Sequence, residues 1–366
     1  MITPTSRPAI GSVRAALCVA ALLSACATRA PPPPPPPPPA APAQAPKIEA
    51  EESLRSLPSG ADLALHRRVL TPTPAGAREK VVLLLHPLGI PGAAAFDVKG
   101  YSLMDYLADR GFDVWAVDLR GFGRSSGAPV VIGDNRQPAP TPRLEDALAD
   151  AREAIDSVLS STHARELALL GYGYGGLVAG MAAERYPDKI SRLVLYGTAF
   201  SFPVGKLGSQ LAKQPVESKP GTLDTHVAAY QEIDWEGTTL KEWQAMMGDK
   251  PLADKAAIDA VAAAFYDTDY VGDIDGRHRV RRPTGPLLDM YRIYSNRPAF
   301  NAGRIKSPTL VLRGDLDPLA EPNLTRKLTG TKIVREIVVK DATHWMLYEK
   351  SRQQVLDETA RFLGAD

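Results

Sequence analysis

Apolar runs alternate with amphipathic stretches through most of the chain, from about residue 80 to the C-terminus. Residues 81–85 and 167–170 are almost wholly apolar, as is typical of strands that are buried on both faces of a sheet. Residues 143–160 instead repeat apolar side chains at helical spacing. This alternation predicts an α/β domain with a mainly parallel sheet. Further strands are predicted at 112–117, 193–195, 309–312 and 333–339, and a further helix at 101–110.

The segment of about residues 201–300 interrupts the alternation. It is rich in helix and loop signals and lies between the predicted sixth and seventh strands, which indicates a helical cap inserted into the domain. The segment also contains large aromatic and methionine side chains, which suit either the binding of an apolar ligand or an ordinary hydrophobic core. They include Trp235, Trp243, Met246, Met247, Tyr291 and Tyr294.

The N-terminus has the pattern of an export signal over residues 1–25. Arg7 and Arg14 precede a short apolar stretch that is too short to span a bilayer. The segment Leu-Ser-Ala-Cys that ends at Cys26 resembles the lipobox of bacterial lipoproteins. The resemblance implies that Cys26 is lipidated and anchors the protein to a membrane without spanning it. Ala27 follows the cysteine where an aspartate could stand, and by resemblance to the sorting rules of Gram-negative bacteria this implies an anchor in the outer membrane, facing the periplasm. The alternative is a plain secretory signal.

Residues 26–50 are predicted to form a proline-rich linker that begins at the lipidated Cys26, and residues 51–366 are predicted to form the folded domain. Nine consecutive prolines occupy 31–39, and polyproline extends by about 3.1 Å per residue. They would form a stiff spacer of roughly 28 Å. A ligand for a proline-binding domain is the other interpretation of this run.

Chain length, net charge and the positions of the cysteines limit the classes of function that the protein can have. With 366 residues, 44% of them hydrophobic, the chain is long enough for one large α/β core with an insertion. The net charge of +1 gives no sign of a nucleic-acid partner or of an anionic membrane surface. Both cysteines, Cys18 and Cys26, precede the predicted domain, so it has no thiolate metal site. The sequence predicts no metal and no cofactor, and it leaves the oligomeric state open.

The stretch from Gly171 to Gly176 reads Gly-Tyr-Gly-Tyr-Gly-Gly between a predicted strand and a predicted helix. As a dinucleotide fingerprint it would need an acidic residue at the end of the next strand, to bind the ribose. That strand ends in Tyr-Gly-Thr, and Asp188 lies before it, so this interpretation is disfavoured. As a G-x-S-x-G nucleophile elbow, the stretch has Gly173 where the serine belongs.

Four other motifs accompany the elbow in a fixed order. They are His86-Pro-Leu-Gly, Asp118-Leu-Arg-Gly-Phe-Gly-Arg-Ser, Gly314-Asp-Leu-Asp-Pro and Asp341-Ala-Thr-His-Trp. In type and order they resemble the motifs of the α/β-hydrolase family, and the resemblance covers nearly everything from about residue 60 onwards. It implies an α/β-hydrolase fold, with a mainly parallel sheet of eight-stranded type, flanking helices and a cap after the sixth strand.

The resemblance also implies roles for single residues. His344 would be the general base and Asp317 would hold its tautomer, with Asp315 as the rival acid. The backbone N–H groups of Leu88 and Tyr174 would form the oxyanion hole. Pro87 stands where the family has glycine and offers no N–H there.

The missing serine leaves two functions open. Ser125 and Ser126 lie in a segment that the family uses structurally, and a phenol such as that of Tyr172 is poorly ionised at neutral pH. Water is the better candidate for the attacking group. The first function is therefore hydrolysis of a small apolar ester, amide or related carbonyl compound through His344, Asp317 and water. The second is a non-catalytic protein that binds a hydrophobic ligand or a protein partner.

Overall fold

The computed structural model describes residues 45–57, 62–73, 80–90, 92–125, 142–201, 203, 205–224, 226–268 and 279–365. The predicted signal peptide, the lipidation site at Cys26 and the proline run lie outside the described residues, as does Ser126. The first strand begins at Lys47, within the segment that the sequence assigned to the linker.

An eight-stranded sheet in the order β1-β2-β4-β3-β5-β6-β11-β12 forms the centre of the described domain. Its strands are β1 (Lys47–Ser56), β2 (Asp62–Thr71), β3 (Val81–Leu85), β4 (Asp113–Val117), β5 (Leu167–Tyr172), β6 (Ile190–Tyr196), β11 (Thr309–Gly314) and β12 (Val334–Val339). The β1–β2 and β2–β4 pairs are antiparallel and the others are parallel. The predicted α/β-hydrolase fold with a mainly parallel sheet is confirmed.

The apolar composition of the central strands follows from their position. β3 lies between β4 and β5, with Leu84 opposite Ala116 on one side and Leu170 on the other. All three residues are buried, because helices cover both faces of the sheet. The helices are α1 (Leu103–Ala108), α2 (Leu144–Thr162), α3 (Tyr174–Arg185), α8 (Leu324–Lys327) and α9 (Arg352–Leu363), with 3₁₀ turns at Gly92–Ala95, Pro187–Lys189 and Ala302–Arg304.

The cap lies between β6 and β11, as the sequence predicted. It combines helices with two small antiparallel sheets, β7–β8 and β9–β10. Its elements are α4 (Gly205–Lys213), β7 (Glu217–Lys219), β8 (Thr222–Leu223), β9 (Tyr230–Ile233), α5 (Leu240–Met247), α6 (Lys255–Asp267), β10 (Val280–Pro283) and α7 (Gly285–Tyr294), with a 3₁₀ turn at Gln214–Val216 and a π turn at Trp235–Thr239.

A buried carboxylate joins the cap to the loop that follows β12. Glu349 is 1% exposed and accepts hydrogen bonds from Trp243 Nε1 at 2.9 Å, Thr343 N at 2.8 Å and Thr343 Oγ1 at 2.5 Å. The Trp243 ring stacks on Trp345, with ring centroids 5.2 Å apart. Because Trp243 belongs to α5, these contacts fix α5 against the loop that carries Thr343 and Trp345.

A second buried carboxylate, Asp118, organises the loop after β4. It accepts hydrogen bonds from Ala93 N at 2.7 Å and Arg124 N at 2.8 Å, and it pairs with His66 Nε2 at 3.1 Å. A Cβ on Gly123, whose φ is +52°, would overlap this carboxylate. The glycine is required because backbone and carboxylate approach so closely.

We expect Glu349→Ala to lower the free energy of unfolding by roughly 3 kcal/mol or more. The substitution removes the acceptor of three buried donors, and each donor left unsatisfied costs about 1–3 kcal/mol. Glu349→Gln, the matched control, keeps an acceptor oxygen and should cost clearly less. Urea unfolding followed by tryptophan fluorescence measures both variants. An alanine variant that costs no more than the glutamine variant would contradict the role assigned to this carboxylate.

We expect His66→Gln to lower the free energy of unfolding by an amount that depends on pH. Burial lowers the pKa of His66, but the hydrogen bond to Asp118 and the charges of Asp118 and Glu52 outweigh it, so the pKa lies above 6.5. The charged pair therefore contributes its full stability below about pH 6.5 and loses it as the pH rises through the folded pKa. Urea unfolding should show a larger cost at about pH 6 than at about pH 9. An equal cost at both pH values would rule this ion pair out.

Candidate active site

The turn between β5 and α3 places Gly173 at its apex. Gly173 has φ +56° and ψ −113°, a conformation that only glycine adopts easily. Its N–H donates to the Tyr196 carbonyl at 2.9 Å, and its carbonyl accepts from Gly176 N at 3.0 Å. Both of its backbone groups are thus held in the turn, at the carboxyl edge of the parallel strands.

The other glycines of this turn are required by close packing. A Cβ on Gly171 would overlap the Gly175 carbonyl, and a Cβ on Gly175 would overlap the Leu85 carbonyl. A Cβ on Gly176 would overlap the side chain of Thr198. The contact of α3 with β3 and β5 therefore accounts for the glycine pattern, with no nucleotide needed to explain it.

His344 and Asp317 form a buried pair beside the turn. His344 Nδ1 donates to Asp317 Oδ2 at 2.8 Å, and the carboxylate side chain is 0% exposed. Asp317 Oδ1 also accepts from Leu319 N at 2.9 Å and Ala320 N at 3.2 Å. The carboxylate is held from three sides and fixes the tautomer in which His344 Nε2 is free of hydrogen.

The rival acid, Asp315, has other contacts. Its Oδ1 accepts from Ala342 N at 3.3 Å, and its Oδ2 lies 3.5 Å from Lys340 Nζ. Asp317 is the aspartate that contacts His344, whereas Asp315 secures the loop after β12.

The second nitrogen of His344 faces Gly173. An ideal Cβ on Gly173 would lie 3.0 Å from Nε2 and 3.4 Å from Cε1 of His344, and 3.4 Å from Pro87 Cβ. The imidazole thus borders the space into which a side chain at position 173 would extend. Below it, the Tyr172 hydroxyl donates to the His344 carbonyl at 2.7 Å. Burial holds the pKa of Tyr172 well above 10, so this phenol packs under the histidine and does not attack.

The loop after β3 forms the opposite side of the site. His86 is fully buried, and its Nε2 accepts from Leu119 N at 3.1 Å while its Nδ1 donates to the Pro87 carbonyl at 2.8 Å. Burial lowers the pKa of His86 and favours the neutral ring. His86 shapes the loop, and the residues of this loop that reach the cavity are Leu88 and Gly89.

A cavity of about 90 Å³ lies between this edge of the sheet and the cap. It brings together the predicted residues Gly173, Tyr174, Leu88 and His344, whereas Asp317 lies behind His344. It is lined by Leu88, Gly89, Gly173, Tyr174, Gly197, Ala199, Leu211, Ala212, Pro215, Glu242, Met246, Arg282, Leu287, Met290, Tyr294, Leu319, His344 and Trp345.

The cap contributes both apolar and charged walls. Met246 and Tyr294 line the cavity, while Trp235 and Trp243 pack in the apolar core between the cap and the sheet. Glu242 and Arg282 also line the cavity, and sequence reasoning missed both. Nothing in the local sequence marks them, because a charged residue on a short cap helix or strand usually faces solvent.

The residues that the structure describes contain neither a group of side chains suited to a metal ion nor a membrane-spanning helix. Among them, no cluster of three or more histidine, cysteine or acidic side chains has the arrangement to hold a metal ion. No helix in the same part of the chain is long and apolar enough to cross a membrane.

Known proteins resemble this chain in sequence and in fold. Human "Epoxide hydrolase 4" is 23% identical over 282 residues, which cover 74% of this chain and 69% of the relative. "Monoacylglycerol lipase" of Mycolicibacterium smegmatis is 23% identical over 288 residues, covering 78% and 85%.

Solved structures match the fold over most of the chain. E-2-(Acetamidomethylene)succinate hydrolase has a TM-score of 0.58 and 19% identity, covering 87% of this chain and 100% of its own. A hydrolase from Pseudomonas aeruginosa has a TM-score of 0.55 and 20% identity, covering 86% and 98%. The model of the alpha/beta hydrolase fold family matches residues 80–351. This chain belongs to the alpha/beta hydrolase fold family.

Proposed function

We propose that this protein hydrolyses a small ester, amide or related carbonyl compound, with water as the attacking group. One observation carries the proposal: His344 Nε2, held by Asp317, faces the space left beside Gly173 on the wall of the cavity. Gly173 occupies the place of a nucleophile but offers no attacking atom. A water molecule in that space would meet the base directly.

The reaction would follow from this geometry. A water hydrogen-bonded to Nε2 attacks the substrate carbonyl carbon, and Nε2 takes one of its protons. Asp317 stabilises the imidazolium that forms. The carbonyl oxygen becomes an oxyanion near the N–H groups of Tyr174 and Leu88. When the tetrahedral intermediate collapses, the imidazolium returns the proton to the leaving oxygen or nitrogen.

The relatives and the N-terminus are consistent with this proposal. Both curated relatives carry the names of hydrolases, which agrees with a hydrolytic reaction. The lipobox-like segment that ends at Cys26 supports a lipid-anchored form at the bacterial envelope. The reaction would then take place at a membrane surface, on the periplasmic side.

A binding protein without catalysis is the second candidate. It is favoured by the closeness of His344 to the backbone of the turn, because the position of the absent Cβ is only 3.0 Å from Nε2. In that case the cavity holds a ligand that is not turned over. The two candidates differ in whether His344 is needed for turnover.

We expect the protein to hydrolyse 4-nitrophenyl acetate above the uncatalysed rate, and His344→Ala to lower kcat/KM by about 10²–10⁴. The loss follows from removal of the base that activates water. His226→Ala is the matched control, since that side chain is 86% exposed in the cap. Steady-state release of 4-nitrophenolate measures all three proteins. No turnover by the unsubstituted protein, or turnover that survives in His344→Ala, would count against the proposal.

We expect Gly173→Ser to lower the free energy of unfolding by about 1–3 kcal/mol, because serine would be strained at φ +56°. Gly248→Ser is the matched control: Gly248 has φ +58° and ψ −131°, and a Cβ there would meet nothing within 4 Å. The excess cost at position 173 measures the contact with His344. Thermal and urea unfolding measure both variants, and an unchanged melting temperature for Gly173→Ser would refute the strained turn.

The same variant also tests the water mechanism. If esterase turnover is absent from the unsubstituted protein and clear in Gly173→Ser, the site needs a serine for that ester and water does not replace it. Burst release of 4-nitrophenolate distinguishes an acyl-serine reaction from direct attack by water.

A further inference from the structure

The cap places a buried guanidinium in the wall of the cavity. Arg282, on β10, is 7% exposed and lines the cavity opposite the sheet. Its Nη2 donates to Gln231 Oε1 at 3.3 Å, across the β9–β10 pair. Its Nε has no hydrogen-bond partner among the described residues, and no carboxylate among them lies within 4.0 Å. Of its five N–H donors, one therefore bonds Gln231, and the buried Nε–H bonds nothing in the part of the chain that the structure describes.

This arrangement is costly unless a ligand completes it. A buried charge is stabilised when it is paired and hydrogen-bonded, and one neutral amide oxygen at 3.3 Å does little of this. The guanidinium fork matches the two oxygens of a carboxylate. Because Arg282 faces the cavity, the missing acceptor can come from a bound molecule.

Glu242 sets the charge that such a molecule can carry. It is half-buried on α5 and lines the same cavity, but it is not within ion-pair distance of Arg282. Burial raises the pKa of Glu242, and the charges of Arg282 and His344 act in the opposite direction. When ionised, it would repel a ligand with two negative charges more strongly than a ligand with one.

We propose that Arg282 binds a carboxylate of the substrate, so that this protein acts on carbonyl compounds that carry a carboxylate at the end remote from the reacting group. The inference rests on the proposed function in placing the reacting carbonyl between Gly173 and His344. Arg282 then holds the other end of the molecule at the cap and sets its orientation in the cavity. The ligand is a monoanionic carboxylate, since the Glu242 carboxylate on the same cavity wall would oppose a second negative charge.

Binding of ketones tests this without turnover, since a ketone has no leaving group. The probes are 4-oxopentanoate, 5-oxohexanoate and 6-oxoheptanoate, each compared with its uncharged amide. Isothermal titration with the full chain measures their affinities. At least one acid should bind about tenfold or more tightly than its amide, as a charge-assisted bidentate pair would give.

Variants locate the difference at one residue. Arg282→Met should abolish the preference for the acid over the amide, and binding of the amide that this variant retains shows that the cavity is intact. Arg282→Lys keeps the positive charge but loses the paired donors of the guanidinium, so it should retain part of the preference for the acid. This variant replaces Arg282→Met in the experiment if Arg282→Met does not fold. Glu242→Gln should strengthen binding of the acid. Arg279→Met, the matched control, removes a charge that pairs with Glu232 at 3.0 Å outside the cavity lining and should change nothing.

Several results would overturn the inference. Equal affinity for acid and amide, or no binding of any ketone, would refute a carboxylate-binding site at Arg282. An equal loss in Arg279→Met assigns the effect to overall charge. Tighter binding of 5-oxohexylphosphonate than of the carboxylates shows that the site prefers a dianion.

The outcome is separable from that of the proposed function. Selective binding of the acid without esterase turnover supports the Arg282 site and points to a binding protein. Turnover of neutral esters that depends on His344, with no preference for the acid, supports hydrolysis and rejects the Arg282 site.

Discussion

The close contact of α3 with the sheet is the constraint on which the site depends. Gly175 lies against the Leu85 carbonyl of β3, and Gly171 against the Gly175 carbonyl, so a Cβ at either position would overlap backbone. Backbone cannot yield as a flexible side chain can. The tight packing fixes where α3 begins, and hence where Gly173 and Tyr174 line the cavity. His344 and the loop after β3 are arranged around this turn.

Gly173 differs from Gly171 and Gly175 of the same turn. A Cβ there would meet the His344 ring at 3.0 Å and Pro87 Cβ at 3.4 Å, which are side-chain atoms, and not the backbone. The packing of the turn therefore does not exclude a side chain, although φ disfavours one. With glycine at this position the turn, the imidazole and its aspartate are all in place. Position 173 itself offers no side-chain atom that could attack a carbonyl.

Sequence patterns were sufficient to predict those strands, helices and motifs that depend on residues close together in the chain. The buried strands and the long helix α2 follow from local periodicity, whereas the contact between His344 and Asp317 was implied by the resemblance of two motifs to those of the α/β-hydrolase family. Neither β1 nor β2 was predicted as a strand, and the alternation of β1 is weak because it lies at an exposed edge of the sheet. Arg282 and Glu349 were missed because their surroundings come from distant parts of the chain: Glu349 accepts from a tryptophan 106 residues away.

The cap and the loop that carries His344 are linked through two consecutive residues of α5. Trp243 donates to Glu349 and stacks on Trp345, directly beside His344 in the chain, while Glu242 lines the cavity. The hydrogen bonds of Glu349 to Thr343 hold the opposite flank of His344. A shift of α5 would therefore move the charged wall of the cavity and the support of the imidazole together. Glu349 and the Trp243–Trp345 stack thus tie α5 to the residues on both sides of His344.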